Sequence, residues 1–456
     1  MGYATTNPAT GECVETFDTV SDAAVEAALE ASVRAFRVLS TWSLEQRSAA
    51  MYKLAAILDD EADALGALIT LEMGKTLREA VAEVRKCAAG CRFYADRAAG
   101  FMADEPIESE TAARALKVYL PLGPVLAVMP WNYPFWQVCR FAAPALMAGN
   151  SCLLKHAPNV PRCAAALEDA VLQAGFPEGA FQNLYASVEQ VGTMLRDDRV
   201  RAATLTGSER AGSAVGAACG EAIKPSVLEL GGSDAFIVMP SADMDAAVAA
   251  AVTARTQNCG QSCIAGKRFI VHTDIYGEFR DRFKAAIAAL KVGDPLNPES
   301  DIGPLASGVA RDTVVDQVRR AVAQGATLLA GARSLPGPGY YFRPGILEGV
   351  TPDMDVYREE IFAPVAMLFE VDSLDAAIDL ANDSPFGLGS VIFTQDPGEQ
   401  RRAIRDVEAG ATFVNALTAS HPALPFGGIK RSGYGRELAA EGLRAFCNAK
   451  TVVVAA

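Results

Sequence analysis

From Val125 to Leu230 the chain alternates short apolar, β-prone runs with amphipathic stretches of helical length, and few folds besides a helix-wrapped parallel sheet satisfy that alternation. The strand runs are Val125–Met129, Ser151–Lys155, Phe181–Tyr185, Ala202–Thr206 and Val227–Leu230. Helical stretches near Phe135–Met147, Arg162–Ala174, Val188–Leu195 and Ser208–Gly220 separate them. Parallel neighbours need crossovers of one hand, so the expected product is an open, doubly wound sheet whose ligands bind beyond the carboxyl ends of its strands. A second alternating region, from about Phe236 to Phe413, carries strand runs at Arg268–Val271, Ala363–Phe369 and Ser390–Phe393 and predicts a second α/β domain. Upstream, Ser21–Val38 and Leu44–Met73 read as helices packed on the first sheet, the former capped by Ser21. Two β-prone pieces, Arg114–Tyr119 and Thr451–Val454, fit neither pattern. They read as a small extension for subunit pairing, or else as edge strands of the main sheets.

Composition excludes several function classes. At 456 residues, 50% of them hydrophobic, the chain has enough apolar surface for two cores. A net charge of −14 with no clustered basic stretch argues against nucleic acid as a partner. No apolar run approaches the ~18 residues that cross a bilayer, and the N-terminus lacks the layout of a secretory leader. The ten cysteines form no C-x-x-C pair, which is the usage of a reducing compartment and points to the cytoplasm. Three histidines lying far apart supply no spaced ligand pair, so no metal site is expected.

Three residues stand out for chemistry. Cys263 follows Gly260-Gln261-Ser262, a sequence suited to a turn that presents a thiol, although a cysteine can equally be a small buried hydrophobe. Glu229 sits between two leucines at a strand end, where an unpaired carboxylate is costly, and Gly231-Gly232 behind it let another backbone or a ligand come close. Without further function it would be a salt-bridged strand-end residue. Asn132, in the loop leaving the first strand, offers an amide donor for a developing oxyanion or simply serves the turn. A fourth candidate is Gly207-Ser208-Glu209-Arg210-Ala211-Gly212, which follows a strand and opens a helix, so its free N–H groups suit a pyrophosphate.

Taken together these segments resemble the aldehyde dehydrogenase superfamily over nearly the whole chain. The likeness is carried in order by Pro130–Phe135, Lys155, Gly207–Gly212, Glu229–Gly232, Gly260–Cys263, Glu359–Val365 and Pro425–Gly428. Lys155-His156-Ala157, Leu228–Asp234 and Pro425–Glu437 resemble bacterial succinate-semialdehyde dehydrogenases in particular. The resemblance implies a Rossmann-type nucleotide-binding domain over 1–106 and 123–231, a catalytic α/β domain over 232–436, and an oligomerisation extension over 107–122 and 437–456. It implies a homodimer or homotetramer. Cys263 would attack the aldehyde carbon, Asn132 and the Cys263 N–H would hold the oxyanion, and Glu229 would activate the water that hydrolyses the thioester.

For the cofactor, NADP or NAD, the resemblance implies Lys155 at the adenosine ribose, Ser208 at the pyrophosphate, and Glu360 and Phe362 at the nicotinamide half. Trp131, Gly207, Gly212, Leu230 and Gly231 would line the same cleft. Two positions depart from the family pattern. Pro158 stands where NAD-preferring members often carry a glutamate, so nothing there repels a 2′-phosphate, and Ala363 stands where glycine is usual. A semialdehyde's far carboxylate calls for a cation, for which Arg140, on about the same helix face as Trp136, and Arg255 are the candidates, and the resemblance implies that Ser420 touches that carboxylate. For each arginine the plainer alternative is a surface or domain-bridging ion pair. The aldehyde expected is succinate semialdehyde, with glutarate semialdehyde or a non-catalytic nucleotide-binding scaffold as alternatives. Transfer of the acyl group to coenzyme A is disfavoured by the presence of Glu229. Cys259, four residues before Cys263, would either form a reversible disulfide with it or pack as an inert thiol.

Overall fold

A computed structural model describes residues 2–108 and 114–455, so positions 109–113 of the expected extension lie outside the described residues. The first alternating region folds as a sheet whose parallel strands run, in space, Ser226–Glu229, Ala202–Thr206, Val125–Val128, Cys152–Lys155 and Phe181–Asn183. A two-residue strand, Gly433–Tyr434, returns antiparallel to its outer edge. The chain starts at the central strand and winds first one way and then the other. The order therefore reverses between Val125–Val128 and Ala202–Thr206, and a crevice opens at their carboxyl ends. Alternate side chains feed two cores: Val125, Ala127, Cys152 and Leu154 on one face, Leu126, Leu153 and Leu205 on the other.

The second sheet has seven strands in the order Thr327–Ala330, Gly345–Glu348, Val365–Val371, Gly266–His272, Asp234–Val238, Gly389–Phe393 and Ala411–Val414. All pair in parallel except Thr327–Ala330. Period-2 alternation sorts Ile237, Ile270, Met367 and Ile392 into one core and Phe236, Phe269, Leu368 and Val391 into the other.

One expectation needs correction, and one open alternative falls. Leu44–Met73 is two helices, Leu44–Asp60 and Ala62–Met73, interrupted at Glu61. Asp59, Asp60 and Glu61 set three carboxylates against the negative end of the first helix dipole, which favours ending it there despite unbroken apolar periodicity. A 25-residue helix, Leu77–Phe101, follows and packs on Trp136–Ala148, whose residues are all buried. Arg114–Pro121 and Cys447–Val454 are not edge strands of the main sheets. They pair with each other over eight antiparallel positions and, with Glu105–Ile107, make a separate three-stranded sheet. Among the described residues no helix is long and apolar enough to cross a membrane.

Candidate active site

Asn132 leaves the first strand of the first sheet, Gly207 and Ser208 leave the strand ending at Thr206, and Glu229 ends the next strand with Thr206 as its register partner. The strand reversal thus gathers them at one crevice. Cys263 arrives from the second sheet's side, on the loop before Gly266–His272.

That loop is strained and tightly held. Asn258, Cys259 and Gly260 take successive left-handed conformations (φ 58°, 56° and 71°), the first two against the preference of residues with a Cβ. At Gly260 a Cβ would lie 2.4 Å from the Pro364 nitrogen, so only glycine lets the two segments cross. Asn258 N–H donates to Glu79 Oε1 (2.7 Å), and Asn258 Nδ2 donates to the carbonyls of Asn132 and Gln261 (both 2.9 Å). The buried Lys267 ammonium donates to the carbonyls of Ser262 (2.8 Å) and Cys263 (2.7 Å) and pairs with Glu360 Oε1 (3.0 Å). Gly232 completes the approach, since a Cβ there would come within 2.6 Å of the Cys263 carbonyl.

The thiol that results lies between two cavities. One, of about 340 Å³, is walled by Trp136, Gln137, Arg140, Ile264, Ser420 and Phe426 among others. The other, of about 290 Å³, is walled by Trp131, Asn132, Gly207, Ser208, Glu229, Leu230, Gly231, Glu360 and Phe362. Cys263 and Gln137 belong to both, so the sulfur can be reached from either side. Burial pushes the Cys263 thiol well above its usual range, with the neighbouring Glu229 carboxylate adding to the effect and Arg140 opposing it. Glu229 is raised to about 7, mainly by burial; Arg140 pulls it down, Glu437 pushes it up and the Cys263 side chain lowers it. Its Oε1 has no hydrogen-bond partner among the described residues. Asn132 Nδ2 donates to the Gln261 carbonyl (3.1 Å), which leaves its second hydrogen and the Cys263 N–H without acceptors among the described residues.

The second cavity has the chemistry of a dinucleotide site. Ser208 caps the helix Glu209–Glu221, its side chain accepting from Ala211 N–H, and the N–H groups of Glu209 and Arg210 are unpartnered among the described residues. Trp131 and Phe362 meet edge to face at 5.7 Å and form an apolar wall. Glu360 spends Oε1 on Lys267 and on Gly232 N–H (3.1 Å), which leaves Oε2 for a ligand hydroxyl. Lys155 and Gly212 stand outside this lining. The Lys155 ammonium lies over the Tyr3 ring at 5.5 Å, and Gly212 packs its helix on Leu230, where a Cβ would come within 2.5 Å.

Of the residues expected at the substrate, Trp136 and Ser420 share the first cavity, where Trp136 Nε1 donates to Ser420 Oγ at 2.9 Å. The two arginines differ. Arg140 lines that cavity: Nε faces Glu437 Oε2 at 2.5 Å without hydrogen-bond alignment, and one terminal nitrogen reaches Glu229 Oε2 and Thr206 Oγ1 (both 3.3 Å), while the other has no partner among the described residues. Arg255 reaches neither cavity and has no carboxylate partner among the described residues. The turn after its helix folds back, so the guanidinium donates to the carbonyls of Gly260 (2.6 Å) and Gly266 (3.3 Å), and burial lowers it to about 9. Cys259 is buried in the second sheet's core with Ala363 and Ile361. Lys267, Glu437 and Gln137 went unnoticed in the sequence. The one local cue was Lys267-Arg268 opening an otherwise apolar strand.

Comparison with known proteins agrees with this geometry. A succinate-semialdehyde dehydrogenase [NADP(+)] of Mycobacterium avium (strain 104) is 56% identical, the match covering 99% of this chain and 96% of that protein. Succinate-semialdehyde dehydrogenase [NADP(+)] 1 of Mycobacterium tuberculosis (strain ATCC 25618 / H37Rv) is 54% identical over 100% of both. The crystal structure of succinic semialdehyde dehydrogenase from Streptococcus pyogenes, in complex with NADP+, superposes with a TM-score of 0.97 at 38% identity, covering 100% of each chain. Residues 1–452 match the aldehyde dehydrogenase family model, and the chain belongs to that family.

Proposed function

We propose that the protein oxidises succinate semialdehyde to succinate with NADP as oxidant, through a covalent intermediate on Cys263. The observation that carries this reading is a single thiol shared by two cavities, one with the donors of a nucleotide site and the other walled in part by charged and polar side chains. The names of the relatives support the aldehyde and the cofactor. Pro158 supports NADP further by setting no carboxylate where a 2′-phosphate would sit.

In this mechanism Glu229 takes the Cys263 proton, and the sulfur adds to the aldehyde carbon to give a thiohemiacetal. Asn132 Nδ2–H and the Cys263 N–H, both with hydrogens to spare, receive the oxyanion. Ser208, Glu360, Phe362 and Trp131 would hold the dinucleotide, which when bound supplies the acceptor for the hydride that leaves the thiohemiacetal carbon. Glu229, having given its first proton to solvent, then takes one from the water that attacks the Cys263 thioester; the C–S bond breaks, the sulfur leaves as thiolate and succinate departs. Lys155 and Gly212 act beside the site rather than in its wall. We assign nucleotide binding to 1–106 with 123–231, catalysis to 232–436, and subunit pairing, as a homodimer or homotetramer, to 107–122 with 437–456. The ten thiols, all free, support a cytoplasmic location.

The test compares kcat/KM for succinate semialdehyde, glutarate semialdehyde and butanal with NADP and with NAD. The reading expects succinate semialdehyde with NADP to lead. Equal values for butanal would remove the carboxylate substrate, and a lead for NAD would reverse the cofactor.

A further inference from the structure

Hydrolysis of an acyl group on Cys263 needs a water fixed beside the sulfur, and a water is fixed when both of its hydrogens have acceptors. Glu229 can receive one of them through Oε1, which has no partner among the described residues. The second acceptor has to lie near the same sulfur. Of the described residues, Gln137 alone accompanies Cys263 in the walls of both cavities.

Gln137 lies in the first turn of the helix Trp136–Ala148, three residues before Arg140 and on the same face. Arg140 reaches Glu229 Oε2 at 3.3 Å, so this face of the helix already meets one oxygen of the carboxylate. The Gln137 side chain is buried, with the residue 2% exposed, and its Oε1 has no hydrogen-bond partner among the described residues. A buried carbonyl oxygen in that condition destabilises the fold unless something donates to it. One water, with a hydrogen on Glu229 Oε1 and the other on Gln137 Oε1, satisfies both atoms and keeps a lone pair for the carbon on the sulfur. The neighbouring oxygens fit this place less well. Asn132 Oδ1 and Ser262 Oγ are also unpartnered among the described residues, but each borders one cavity only, and Thr206 Oγ1 already accepts from Arg140.

We propose that Gln137 holds the hydrolytic water against Glu229, accepting the hydrogen that the base does not take and so aiming the water's oxygen at the thioester carbon. The oxygen–carbon bond forms as Glu229 takes one proton, and the tetrahedral adduct then expels the sulfur as thiolate. The hydrogen on Gln137 stays with the new carboxyl group and passes to solvent, so the amide itself is unchanged. This rests on the reading of Cys263 as the carrier of an acyl group and concerns only the second half of the reaction.

The experiment compares wild type with Gln137→Met, which keeps the length of the side chain and removes the acceptor. Rapid mixing with succinate semialdehyde and NADP gives the acylation rate from the burst of NADPH, and quenching followed by mass spectrometry gives the decay of the acyl-enzyme. In the variant, decay should slow by roughly 10–100-fold, the cost of a misplaced nucleophile, while the burst rate changes little. Hydroxylamine, added once acyl-enzyme has accumulated, attacks the thioester without the held water and should discharge both proteins at similar rates. The unfolding midpoint should not fall, because an unpartnered buried oxygen has been removed. Decay at the wild-type rate overturns the role of Gln137. Equal losses in burst and decay, or a lower midpoint without accumulation of acyl-enzyme, overturn it as well, since the residue would then serve acylation or structure. A wild type that turns over with no acyl adduct on Cys263 removes the covalent reading itself, and the part of Gln137 in it falls too.

Discussion

The proposed mechanism asks Glu229 to be a base in a site that disfavours charge, and its neighbours set how strong a base it would be. Burial raises its pKa to about 7, the Arg140 guanidinium works against that rise, and Glu437 works with it. A carboxyl can accept a proton only when ionised, so the rate should fall as pH drops through about 7 and level off above it. The pH profile of kcat/KM checks this. Glu229→Gln should remove the acid limb and slow steady turnover by ~10²–10⁴, while any burst of reduced cofactor in the first turnover marks acylation surviving without the base. An unchanged profile in that variant would take the base role from Glu229. Residues of this kind were legible in the sequence because each is locally out of place: a carboxylate between leucines, a cysteine after a turn. The arginines were harder to read for the opposite reason. How Arg140 is held in the cavity wall depends on Glu437, nearly three hundred positions away in the chain, and no local pattern announces that pairing. Lys86 and Glu83 likewise read as ordinary polar positions of a helix, and only the packing of Leu77–Phe101 against Trp136–Ala148 turns them toward a cavity.

Among the elements, the loop from Gln257 to Ala265 converts fold into reactivity. Its left-handed run is uphill, and it persists because Glu79, Arg255 and Lys267 each bind its backbone from a different helix or strand. Gly260→Ala tests how closely the loop is determined. The new methyl would strike the Pro364 backbone at φ 71°, so the loop has to move. The variant should lose about 1–3 kcal/mol of stability, seen as a lower unfolding midpoint, and its activity should fall further than that loss explains, because Cys263 moves with the loop. Wild-type activity at a wild-type midpoint would mean that the crossing with Pro364 is looser than described. At this scale the parallel strands of the first sheet were readable from periodicity. The break at Glu61 was not, because it turns on charge at a helix end rather than on apolar spacing.

At the scale of the molecule, each main sheet is covered on both faces by its own pair of cores, whereas the three-stranded sheet keeps apolar side chains in water: Val453 is 61% exposed, Val454 50%, Ile107 46% and Leu120 42%. Such a sheet, whose edge along Cys447–Val454 is unpaired among the described residues, is suited to meeting a second copy. The segment leading into it also carries Glu437, which pairs with Arg140 beside Glu229, so the proposed pairing surface and the proposed site lie close in the chain. Truncating the C-terminus would confound the two. Leu120→Asp and Val453→Asp separate them, because in a lone chain both side chains point into solvent and an added carboxylate costs little, while inside an interface it is buried without a partner. Light scattering should then report a smaller assembly for both variants, with unfolding midpoints near that of wild type at protein concentrations where all three are dissociated. If neither substitution changes the mass, this sheet does not join subunits, and its apolar surface serves the single chain in some other way.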